Sequence, residues 1–136
     1  MEAQCQCGNL RARVTEGCSP GIITLCHCGD CQRRSGSPFG VIAYFSKDAV
    51  SVHGTATEFE RGTYSGNRLS SGFCPVCGST IYVLLSKNPD MIGVPVGAFS
   101  DPAFPAPHIA VWEQDRHDWI ELPAKIGLFE RGTDLK

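Results

Sequence analysis

Three cysteines within six residues, Cys26-His27-Cys28-Gly29-Asp30-Cys31, constrain this chain more than any other stretch of it. Two further pairs lie far away in sequence, Cys5-Gln6-Cys7-Gly8 and Cys74-Pro75-Val76-Cys77-Gly78. Cysteines one residue apart project to the same side of an extended chain and rarely bond to each other without strain. That spacing suits a shared metal rather than a disulfide framework, which would also need an oxidising compartment. The N-terminus shows no basic region followed by an apolar stretch, so a cytoplasmic protein is expected.

At 136 residues the chain is read as one domain, 1-136. Its 15 glycines and 9 prolines predict many turns between short strands, hence a mainly β fold with few short helices. A net charge of −2 and a sequence pI near 6.0 leave no electrostatic footprint for nucleic acid or a membrane surface. The longest apolar run, around Ile81 to Leu85, is too short to span a bilayer.

Strands are expected at 10–15, 22–25, 40–45, 49–52, 57–59, 68–73, 79–85, 91–99 and 108–112, where apolar or β-branched residues are bounded by glycine-marked turns. Residues 30–35 carry no strand signal and predict one or two helical turns, stopped by Gly36. Pro95 inside the 91–99 segment predicts an edge strand or a bulge. Residues 101–107 hold three prolines and predict an irregular connection, and the tail from Trp119 to Phe129 has no clear assignment.

Cys74-Pro75-Val76-Cys77-Gly78 reads as a zinc knuckle between two strands. Glycine after the second cysteine lets the backbone curl, so that amide N–H groups point at the sulfurs. A knuckle supplies two of the four ligands of a structural zinc, and Cys5 and Cys7, also followed by glycine, are the matching half. Cys26, Cys28 and Cys31 remain, with Cys18. If Cys18 joins them the second site is closed and structural; if not, three thiolates hold zinc with a fourth position free, as catalytic zinc requires. Three anionic sulfurs make zinc a poor generator of hydroxide but a soft centre suited to a thiol.

The sequence resembles the glutathione-dependent formaldehyde-activating enzymes, which share a domain with centromere protein V. The resemblance rests on Cys5-Gln6-Cys7-Gly8, on Cys26-His27-Cys28-Gly29-Asp30-Cys31-Gln32-Arg33-Arg34-Ser35-Gly36, on Phe73-Cys74-Pro75-Val76-Cys77-Gly78-Ser79 and on Pro105-Ala106-Pro107-His108-Ile109. It implies a β-tent fold of small antiparallel sheets and two zinc ions per chain. The structural zinc falls on Cys5, Cys7, Cys74 and Cys77, and the catalytic zinc on Cys26, Cys28 and Cys31, with Cys18 outside both. It also implies a carbon–sulfur lyase that adds a small thiol, glutathione, to formaldehyde or another small aldehyde, as an S-(hydroxymethyl)glutathione synthase does. The alternative is a zinc-stapled module that binds a protein partner without catalysis.

Among the remaining candidates, of Arg33 and Arg34 only Arg33 is assigned a site role, toward substrate carboxylates or the negative zinc centre; the alternative is that one of the two bridges the zinc loop and the other is solvated. His27, between two ligands, is expected to turn away from the metal. His108 is expected to be structural. Phe39, Tyr44, Trp112 and Trp119 are either cavity walls or core, and Arg61 and Arg68 are anion contacts or solvated surface.

Overall fold

The computed structural model describes residues 1–133. It contains eleven strands: β1 (Glu2–Gln4), β2 (Arg11–Val14), β3 (Ile22–Cys26), β4 (Gly40–Ser46), β5 (Val50–His53), β6 (Thr57–Gly62), β7 (Arg68–Phe73), β8 (Thr80–Leu85), β9 (Met91–Pro95), β10 (Ile109–Val111) and β11 (Gly127–Leu128). One α-helix, α1 (Gly29–Ser35), follows β3. The mainly β class is therefore as expected. No helix among the described residues is long and apolar enough to cross a membrane.

The strands form a three-stranded sheet, β1-β2-β5, and an eight-stranded sheet ordered β11-β10-β3-β4-β9-β8-β7-β6. Pairing is antiparallel except where β10 lies parallel to both β3 and β11. Pro95 does not mark an edge: β9 lies between β4 and β8. Proline is tolerated there because it is the last residue of β9, which meets β8 only through Gly93, before the chain turns into a 3₁₀ helix at Val96–Phe99.

Successive side chains of a strand point to opposite faces, and here both faces of the large sheet carry apolar residues. Ile23, Ala43, Phe45, Ile92 and Val94 face the core, where they join Ala3, Leu10, Ala12 and Val14 of the N-terminal segment. The alternate residues Ile22, Thr24, Cys26, Ile42, Tyr44 and Met91 face a cavity. Along β8 a bulge opposite Gly72 and Phe73 disturbs this alternation, and both Ile81 and Tyr82 belong to the core.

The large sheet curls. β6 is one of its edges and β10 lies next to the other, yet Tyr64, just past β6, packs on Trp112, just past β10, with ring centroids 4.9 Å apart. Arg61 of β6 likewise reaches Asp30 of α1 at 3.3 Å. The right-handed twist of a long sheet supplies such coiling, and the two contacts hold the edges together. The cavity lies inside the curl.

Gly72 shows how closely the sheet is packed. A Cβ built there would fall 2.1 Å from the Tyr82 ring, which lies across the glycine while its hydroxyl donates to Glu58 at 2.6 Å. Gly72→Ala is expected to displace the ring, break that hydrogen bond and destabilise the fold by about 1–3 kcal/mol. The midpoint of urea unfolding measures it, and an unchanged midpoint would show that the ring moves aside freely.

Candidate metal centres and the adjoining cavity

The two knuckles form for local reasons. Gly8 and Gly78 both adopt left-handed backbone, at φ 81° and 82°, a conformation that costs glycine least. Their N–H groups donate to the carbonyls of Cys5 and Cys74 at 3.0 and 2.8 Å, closing each turn. The amide of Leu10 then points at Cys5 Sγ, 3.2 Å away, and that of Val76 at Cys74 Sγ, 3.4 Å away. Tertiary folding brings the two turns together, and the sulfurs of Cys5, Cys7, Cys74 and Cys77 lie within 4.8 Å of one another.

The second cluster uses a helix. Cys28 is the N-cap of α1, its Sγ accepting the N–H of Cys31 at 3.4 Å, while Gly36 ends the helix in left-handed backbone at φ 68°. One helical turn thus returns Cys31 to Cys28, and β3 delivers Cys26 to the same point. The three sulfurs lie within 4.8 Å of one another, and no fourth cysteine, histidine or carboxylate joins them among the described residues. Cys18 is half-buried against the core and belongs to neither cluster.

Both donor sets fit a metal that takes thiolates in a tetrahedron. Zinc–sulfur bonds of about 2.3 Å place tetrahedral sulfurs about 3.8 Å apart. Cys7 Sγ stands 3.6 Å from both Cys5 Sγ and Cys74 Sγ, far beyond a covalent S–S bond of about 2.05 Å. All eight cysteines are free.

The thiols do not share charge equally. The neighbouring Cys26 and Cys31 thiols pull the Cys28 thiol down to about 2, and Cys28 and Cys31 in turn push Cys26 far above the ordinary thiol range. Cys77 is pulled down to about 5, first by the Ser79 hydroxyl and then by the Ser79 amide. A cation bound at either cluster would release the remaining thiol protons.

His27 turns away from the sulfurs and is fully buried. Its Nε2 lies 2.9 Å from Glu113 Oε2, a close contact between two buried groups whose alignment is too poor for a hydrogen bond. Burial holds the imidazole below its usual range, hence neutral. Around it, the His27 amide donates to Val111 and the His27 carbonyl accepts from Gln32 Nε2 at 2.7 Å. Ser35 donates to the Cys31 carbonyl at 2.8 Å and its hydroxyl also reaches the Phe39 carbonyl at 3.0 Å, tying the helix end to the entry of β4. The sequence offered no signal for Glu113, which opens a 3₁₀ helix, Glu113–Asp115, beyond β10.

Beside the three-thiol cluster lies the cavity, with a volume of about 480 Å³. Arg34 lines it and Arg33 does not; Arg33 is exposed. Helical spacing explains the difference, since Arg34 is three residues after Cys31 and shares its face, whereas Arg33 is two residues on and does not. That spacing was the available signal for Arg34. Arg61 also lines the cavity, while Arg68 pairs with Glu60 on the exposed sheet edge at 3.0 Å. The neighbouring thiols and burial leave Cys31 raised to about 11, against a weaker opposing pull from Arg34, and Arg61 adds a weak downward pull on Cys28.

Tyr44 and Trp112 line the cavity; Phe39 packs edge-on against His27 and Trp119 is exposed. Burial, and then the charges of Cys31 and Cys26, push the Tyr44 hydroxyl above its usual range, so it keeps its proton. His108 is structural: its Nδ1 accepts the Ile23 amide at 2.8 Å, and its own amide donates to the Ile23 carbonyl.

No curated protein matches this sequence. A protein from Rhodobacter sphaeroides, known from its crystal structure, is similar in fold with a TM-score of 0.57 and 25% sequence identity, over 72% of this chain and 86% of that one. The family model described as "Glutathione-dependent formaldehyde-activating enzyme" matches residues 1–115. With both thiol clusters inside the matched span, the chain belongs to the glutathione-dependent formaldehyde-activating enzyme family.

Proposed function

We propose that this protein is a zinc-dependent carbon–sulfur lyase that joins a small thiol to a small aldehyde, with glutathione and formaldehyde as the family's pair. The supporting observation is the placement of Cys26, Cys28 and Cys31 in the wall of a cavity that Arg34 and Arg61 also line. Cys5, Cys7, Cys74 and Cys77 would hold a structural zinc and the triplet a catalytic one. When bound at the triplet, zinc supplies a soft cationic centre that favours the deprotonated form of a substrate thiol.

The chain's own residues supply the rest. Arg34 and Arg61 offset the negative charge of three thiolates and can donate to an oxygen that gains charge as the carbon–sulfur bond forms. Tyr44, protonated, adds an O–H donor on the same side of the sheet. In the reaction, sulfur bonds to the carbonyl carbon, and the carbonyl oxygen takes up the proton that the thiol gave away. Arg33, outside the cavity, has no part in this scheme.

The test is exchange NMR of ¹³C-formaldehyde with glutathione, compared with the uncatalysed rate. The zinc-loaded protein is expected to accelerate adduct formation. Arg34→Gln should lower that acceleration by about 100-fold, the scale of losing one oxyanion donor, while two zinc ions per chain remain. A wild-type protein that holds its metal and gives no acceleration would overturn the proposal.

A further inference from the structure

The wall of the cavity is more apolar than formaldehyde requires. Ile22, Leu69, Leu85, Met91 and Ile109 all line it and are all only half-buried, so their remaining apolar surface faces the cavity rather than the core. Such surface, held open inside a curled sheet, gains free energy only when something apolar covers it. A one-carbon aldehyde covers almost none of it.

Gly93 adds to the space. Ile42, Val83 and Tyr44 converge where its Cβ would stand, at 2.5, 2.6 and 2.9 Å. Without a side chain at that central position, these three settle onto the sheet and leave the volume above them free. The cavity also runs along β3: Cys26 and Ile22 both line it and lie four residues apart on that strand, about 14 Å at about 3.4 Å per residue.

Charge narrows the occupant further. Three cations line the cavity, Arg34, Arg61, which is paired with Asp30 of α1, and Lys87 just past the end of β8, and no aspartate or glutamate lines it among the described residues. A buried ammonium group would find no carboxylate there, and burying an unpaired charge is costly. A neutral or carboxylate-ended tail meets no such penalty.

We infer that the cavity binds a medium-length alkyl or aryl tail, neutral or anionic at its far end, and that the aldehyde used at the three-thiol cluster carries that tail. The second half of this statement rests on the thiol-adduct function proposed above; the first half does not. The step is the same addition: a carbon–sulfur bond forms, the carbonyl π bond breaks, and the thiol proton ends on the new hydroxyl. No electrons are gained or lost overall.

Two measurements decide it. In the first, binding of unreactive alcohols to the zinc-loaded protein is followed by calorimetry and by the fluorescence of Trp112. Affinity is expected to rise by about fourfold per methylene from butan-1-ol to octan-1-ol. Octanoate should bind, and octylamine at least about tenfold more weakly than octan-1-ol. Leu69→Gln combined with Leu85→Gln should weaken octan-1-ol by about tenfold or more. Phe59→Gln, which alters an exposed apolar side chain outside the cavity, should not. Affinity independent of chain length, or equal loss in the Phe59 variant, would overturn the assignment; the chain-length series needs no variant to fold.

In the second, adduct formation with glutathione is compared for octanal and formaldehyde, each corrected for its uncatalysed rate. Octanal is expected to show the higher kcat/KM by at least about tenfold. Acceleration of formaldehyde alone would sink the tailed-aldehyde inference and keep the lyase. No acceleration of either, with the alcohol series intact, would sink the lyase and keep the cavity's ligand class.

Discussion

Cys28→Ser is expected to abolish thiol–aldehyde addition in a protein that stays folded and retains about one zinc of two. The two consequences separate because Cys28 does two jobs. As the N-cap of α1 it accepts the Cys31 amide through its side chain, and a serine hydroxyl fills that role at least as well. As one of three sulfurs grouped within 4.8 Å, it is a thiolate ligand that a soft metal at the triplet would need, and serine cannot replace it at neutral pH. Activity should fall by more than the ~10–100-fold that follows loss of a group merely supporting a ligand. Metal content by atomic emission, circular dichroism and exchange NMR together test it. Turnover retained with one zinc lost would show that chemistry does not occur at the triplet.

Cys74→Ser should do the opposite and unfold the chain. Cys74 is buried, its sulfur lies beside that of Cys7, and the two residues are 67 positions apart in sequence. A metal on the four thiols therefore closes a long loop and ties the N-terminal strands to the β7–β8 turn. Structural zinc contributes about 10–16 kcal/mol in small zinc-dependent folds, against a net stability of about 5–15 kcal/mol for an ordinary domain. The expected result is loss of the cooperative thermal transition and of both metals, since the triplet exists only in the folded sheet. Removing zinc from the wild type with a strong chelator should reproduce it. A Cys74→Ser protein with a normal transition and one zinc at the triplet would refute the structural role.

The cysteine knuckles were legible because they are local: a short cysteine spacing and a following glycine determine the turn and the N–H groups aimed at sulfur, whatever the rest of the chain does. The helical stretch at residues 30–35 was legible for the same reason, from its lack of a strand signal and from the stop at Gly36. Arg33 and Arg34 were separable only once that stretch was treated as a helix, where position relative to Cys31 decides which one shares its face. Pro95 misled, since proline forces an edge only where its missing N–H would have to donate to a neighbouring strand, and β9 pairs with β8 only at Gly93 before ending at Pro95.

Short-range chemistry was thus sufficient to assign the donor sets, the mainly β class and most strand positions. Only the folded chain decided that Glu113 meets His27, and that Arg61, Tyr64 and Trp112 line one cavity with the thiols. Those partners lie tens of residues away, joined by the curl of an eight-stranded sheet. The curl depends on the twist and register summed over the whole sheet, and no window of sequence contains that sum. For the same reason the apolar run at Ile22 and Ile23 marks a strand without revealing that its two faces serve different ends, one the core and the other a cavity beside three sulfurs.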